Sequence, residues 1–81
     1  MLVPLYGFVE GDTMGLLVLA HHDMPMQQVG RLLAESARVR GADADAAWNV
    51  VVAGRTVDPE ATVSDLGLEP LQRIDLRSRK A

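Results

Sequence analysis

The 81-residue chain contains no cysteine, which removes both a disulfide frame and a thiolate metal site. It also lacks any long apolar run. The longest, Leu16 to Ala20, is far short of the roughly 20 residues that cross a bilayer, so no membrane segment is expected. No basic stretch precedes the opening apolar residues, so no secretion signal is expected and a cytoplasmic location is the default. Positive charge is in deficit. The formal net charge of −3 argues against nucleic acid as a partner, although Arg73, Arg77, Arg79 and Lys80 make the last residues locally basic.

The chain is equally short of catalytic groups. Its only two histidines, His21 and His22, are neighbours, so Ser36, Ser64 and Ser78 have no credible base and orienter between them. Adjacent histidines cannot both point into one metal site from extended backbone, and no third ligand stands at helical spacing from them. Acidic pairs occur at Asp43 with Asp45 and at Asp58 with Glu60, each in a polar stretch that reads as solvated loop. No Glu-x-x-His pair is present to hold a di-iron centre. The glycines Gly11 and Gly15 are not followed directly by a helix that could receive a phosphate. The chain is therefore not expected to be an enzyme by itself, and its work is expected to be contact.

What is present is a well-patterned core. Hydrophobic residues make up 48% of the sequence, enough for a globular fold, and the length fits one domain over residues 1–81. A domain this small buries only about 60% of its unfolded surface, so its own core leaves a thin margin and a partner matters. Leu2 to Val9 is apolar at nearly every position and reads as a first strand, with Pro4 placed near its start or against an unpaired side. Glu10 to Thr13 is the turn and Gly15 to Ala20 the second strand. Both strands are apolar on both faces, whereas a half-exposed antiparallel sheet alternates. Something beyond this chain's own helix is expected to cover the second face.

Asp23 or Met24 is expected at a helix N-cap with Pro25 in the first turn, and the helix is expected from Met26 to Arg38. Met26, Val29, Leu33 and Ala37 fall on its inner stripe, and Gln27, Arg31, Glu35 and Arg38 on the other side. Gly30 beside that stripe costs about 1 kcal/mol of helix propensity, which close helix-to-sheet contact would offset. Gly41 to Ala47 reads as an acidic loop. Trp48, the only tryptophan, opens a third strand as either a core lid or an interface anchor.

The stretch from Val50 to Leu68 organises the rest. Three consecutive valines favour extended backbone. Ala53-Gly54-Arg55 reverses the chain into a short strand at Thr56-Val57, and Asp58-Pro59-Glu60 bends it away. Thr62 and Asp65 stand at capping-box spacing, closing one helical turn that Gly67 ends. Gln72 to Ser78 then alternates, with Ile74 and Leu76 inward and Arg73, Asp75 and Arg77 outward. The sum is an α+β chain of the β-grasp type, with a mixed sheet of four to five strands packed on one α-helix and a short helical turn near Thr62 to Gly67.

The Ala-Gly-Arg turn followed by Thr62-Val63-Ser64-Asp65 resembles the second half of ubiquitin and its relatives. That alignment implies core positions for Val50, Val57, Val63, Leu68, Ile74 and Leu76. The final Arg77-Ser78-Arg79-Lys80-Ala81 lacks the Gly-Gly end of conjugated modifiers and sulfur carriers, so neither role is expected. Pro4-Leu5-Tyr6-Gly7-Phe8-Val9, then Gly11-Asp12-Thr13, the Gly15 to Leu19 strand, Asp58-Pro59 and Leu68-Glu69-Pro70-Leu71 narrow the match. Together they resemble the small B, or gamma, subunit of the toluene, alkene and isoprene monooxygenases, whose large hydroxylase subunit carries a di-iron site.

This resemblance implies a noncatalytic subunit with no cofactor of its own. It implies the large (alpha) and beta hydroxylase subunits as partners, a di-iron centre in the large one, and a small hydrocarbon oxidised with O2. The surplus apolar face then reads as the interface, with Tyr6, Phe8, Leu17, Leu19, Trp48 and Val51 as candidates. Leu5 with Val9 remains the other parity of the first strand, because the loop before strand two leaves the register open. A free-standing ubiquitin-like interaction module is the alternative function.

Overall fold

The computed structural model describes residues 1–12, 14–38 and 47–79, so most of the expected acidic loop at Gly41 to Ala47 lies outside the described residues. The elements are β1 (Leu2–Val9), β2 (Leu16–His21), α1 (Met26–Ser36), β3 (Trp48–Val52), β4 (Arg55–Thr56) and β5 (Gln72–Ser78). They form one five-stranded sheet in the order β2-β1-β5-β3-β4. β1 and β5 are parallel neighbours in its middle, and the other pairings are antiparallel.

Helix α1 covers one face. Met26, Val29, Leu33, Ala34 and Ala37 are fully buried against Leu5, Ile74 and Leu76, which are equally inaccessible. Gly30 lets the helix lie close to the sheet: a Cβ there would stand 2.9 Å from Val50 Cγ2 and 3.2 Å from Leu76 Cδ2. Of the core positions implied by the ubiquitin alignment, Val50, Val63, Leu68, Ile74 and Leu76 are buried, while Val57 packs on the core only partly covered.

The start of α1 differs from the expectation. Pro25 itself is the N-cap and no side chain caps the helix. The Met26 and Gln27 amides instead donate to the carbonyls of Ala61 (2.8 Å) and Pro59 (2.9 Å). The bend after β4 thus satisfies first-turn donors that a local Asp23 cap would otherwise take. At the other end Ala37 has φ −87° and ψ −2°, so the helix closes before Arg38, whose guanidinium pairs with Glu35 at 3.3 Å on the surface.

The β3–β4 hairpin also turns one residue earlier than the spacing indicates. Val52 opposes Arg55, leaving Ala53 and Gly54 as a two-residue loop with φ of +52° and +79°. Positive φ at both positions is the primed geometry whose twist matches paired strands. The capping box forms as expected. Thr62 N–H donates to Asp65 Oδ2 and Asp65 N–H to Thr62 Oγ1, each at 3.0 Å. The turn ends in a Schellman pair, Leu68 N–H to Val63 O (3.2 Å) and Gly67 N–H to Ser64 O (3.0 Å), with Gly67 at φ +62°.

Candidate partner interface

Strand geometry settles which side chains face away from the helix. Val3, Leu5 and Val9 of β1 and Val18 and Ala20 of β2 are buried under α1. Alternation therefore turns Leu2, Pro4, Tyr6 and Phe8, with Leu17 and Leu19, to the opposite face. The register sets Tyr6 across from Leu17 and Pro4 across from Leu19. On that face Leu17 is 59%, Leu19 55%, Leu2 51% and Tyr6 44% exposed. No described element covers them.

The aromatic part of this face is held in place. The Tyr6 and Phe8 rings meet edge to face, with centroids 5.1 Å apart and planes at 62°. Both rings lie over Gly15, where a Cβ would come within 2.5 Å of Tyr6 and 2.9 Å of Phe8. Parallel pairing brings Arg73 and Asp75 of β5 beside Tyr6 and Phe8. The Arg73 guanidinium stacks 4.2 Å above the Phe8 ring centroid and pairs with Asp75 at 3.1 Å. A stacked cation and an edge-to-face pair restrict the rotamers of both rings.

The candidates do not all converge. Tyr6, Phe8, Leu17 and Leu19 form one patch. Val51 has the outward parity of β3 but is only 3% exposed, with Asp75 and Thr56 as its cross-strand neighbours. It has almost no surface to give a partner, which corrects its place in the set. Trp48 shares the parity of the buried Val50 and so lies on the helix side, half buried against the core. There it lines a groove of about 350 Å³ with Arg31, Glu35, Asn49 and Arg79.

Leu2 and Pro4 share this face but lie outside the candidate set, although their even spacing from Tyr6 is a visible signal. Arg73 over Phe8 had none, because it depends on which strands become neighbours.

Among the described residues no three His, Cys, Asp or Glu side chains gather as a metal-ligand set, and no helix is long and apolar enough to cross a membrane. His22 Nδ1 lies 3.3 Å from the Met1 amine, and the His22 carbonyl accepts from Ser64 N–H at 2.7 Å.

The model of the family described as Toluene-4-monooxygenase system protein B (TmoB) matches residues 2–77. The chain belongs to the TmoB family. It is thus a member of a family of monooxygenase-system subunits built on a β-grasp fold. Among solved structures, a chain of the toluene 4-monooxygenase HD complex with the inhibitor 4-bromobenzoate is similar at a TM-score of 0.84 and 23% identity, covering 94% of this chain and 96% of that one.

Ubiquitin of Caldiarchaeum subterraneum superposes at a TM-score of 0.75 with 13% identity, over 100% of this chain and 98% of the other. The ubiquitin-like domain of Plasmodium falciparum Dsk2 gives 0.74 and 14%, over 94% and 96%. No curated protein sequence matches the chain. The β-grasp expectation and the family resemblance both hold. The family match over residues 2–77 takes in the opening Pro4 to Val9 stretch as well as the later turns.

Proposed function

We propose that this TmoB-family chain is a single ubiquitin-like domain serving as the noncatalytic small subunit of a cytoplasmic hydroxylase component. That component oxidises a small hydrocarbon with O2 at a di-iron centre held by the large subunit. The chain docks on the large subunit through the face bearing Leu2, Tyr6, Phe8, Leu17 and Leu19 and helps hold it in productive shape.

The observation that carries this reading is the uncovered apolar face itself. Leu17, Leu19, Leu2 and Tyr6 are each about half exposed, side by side on paired strands, in a chain whose family is a monooxygenase-system subunit. Burying the remaining surface of each contributes roughly 1 kcal/mol before the costs of association. Contiguous exposed apolar area on this scale marks an interaction site more often than an idle surface.

Leu17→Asp tests it. The position is exposed, so the isolated chain should lose less than about 1 kcal/mol of stability. In the complex the carboxylate would be stripped of water without a partner, at a cost of several kcal/mol, or about a thousandfold in affinity. A tagged wild-type chain co-expressed with the large subunit should recover it with its iron, and the variant should not. Equal recovery by the variant refutes the assigned face; recovery of no iron-bearing partner by the wild type refutes the function.

A further inference from the structure

Beyond its outward face, β2 has an open edge. It is the end strand of the sheet, and among the described residues no strand lies beyond it. The Pro4 carbonyl accepts from Leu71 N–H at 2.6 Å and Glu10 N–H donates to Leu76 O at 2.8 Å, so the even-numbered residues of β1 direct their backbone groups to β5. The odd-numbered ones therefore exchange hydrogen bonds with Ala20, Val18 and Leu16, their partners in register. By the same alternation the amides of Leu17, Leu19 and His21 and the carbonyls of Leu17 and Leu19 point away from the sheet. The His21 carbonyl is taken by Met24 N–H at 3.0 Å.

Proteins usually blunt such an edge with charge, proline, a bulge or brevity. The opposite edge, β4, shows two of these devices: it is two residues long and carries Arg55. β2 has none. It runs six residues as Leu-Leu-Val-Leu-Ala-His, and its register with β1 is unbroken from His21 to Leu16.

We propose that the β2 edge receives an extended segment of the large monooxygenase subunit, which adds a strand to this sheet while the body of that subunit covers the outward face. The proposal rests on the function proposed above and deepens it. The occupant follows from the geometry. A second copy of this chain joined edge to edge would extend the sheet and leave both apolar faces open. A larger partner that continues over Leu17 and Leu19 satisfies backbone groups and side chains together. The added strand should be aliphatic on the side that continues the outward patch.

The test is amide exchange of the labelled full chain, free and bound to the large subunit. Leu17, Leu19 and His21 should exchange rapidly in the free chain and slow by at least about a hundredfold in the complex. Leu19→Pro removes one edge donor without removing a β1 bond, and it should weaken binding at least about fivefold beyond Leu19→Ala, the worth of one hydrogen bond.

A complex in which these three amides keep their free rates overturns the edge proposal while leaving face docking in place. No complex with the wild type removes both. Protection that appears in the isolated chain as its concentration rises assigns the edge to a second copy, and overturns the proposal too.

Discussion

Replacing Gly30 by alanine sets two effects of opposite sign against each other. In an exposed helix interior the change gains about 1 kcal/mol, because alanine is the better helix former. In this helix the new methyl would stand 2.9 Å from Val50 Cγ2 and 3.2 Å from Leu76 Cδ2. Val50 is 6% exposed and Leu76 fully buried, and the β-branched Val50 side chain has little rotamer freedom with which to retreat. The helix must then lift from the sheet or the valine leave its rotamer, an overpacking cost of about 1–3 kcal/mol. The cost wins.

A net loss of about 1 kcal/mol lowers the melting temperature of a domain this size by roughly 4–8 °C. Thermal unfolding followed by circular dichroism measures it directly. A second variant locates the cause: Val50→Ala in the Gly30→Ala background should cost less than the two single changes added together. A Gly30→Ala chain that melts above the wild type refutes the close-packing argument.

Two further changes test local devices. Thr62→Ala removes the hydroxyl that accepts from Asp65 N–H and should cost about 1 kcal/mol, seen as a lower urea midpoint with unchanged slope. Ala53→Asn places a residue that tolerates φ of +52° before Gly54, converting the turn to Asn-Gly, and should raise stability by up to about 1 kcal/mol in the same assay.

Local features were the legible ones. The Thr62 and Asp65 box needs only three-residue spacing, and the inner stripe of α1 only helical periodicity, so both could be read directly. The cap of α1 could not, because the groups that satisfy Met26 and Gln27 come from Ala61 and Pro59, far along the chain. The hairpin slipped by one residue for a related reason: nothing in alanine announces positive φ, yet the twist of β3 and β4 demands it at Ala53.

The candidate face was readable as surplus apolar residues on β1 and β2, but not its parity, since the loop from Glu10 to Gly15 permits either register. Burial of Leu5 and Val9 under the helix decides for Tyr6 and Phe8. Val51 shows that parity alone is not exposure: it faces outward and is still covered. Trp48 sits on the far side of the sheet from the patch because it keeps step with Val50.

The outward face of β1 and β2 is the surface we propose this chain gives to a monooxygenase partner. Carbene footprinting of the chain, alone and assembled with the large subunit, tests it most directly. Labelling of Leu2, Tyr6, Leu17 and Leu19 should fall sharply on assembly, while labelling of the exposed helix residues Gln28, Arg31 and Leu32 should be unchanged. Loss of labelling on the helix with the β1–β2 face still open would contradict it.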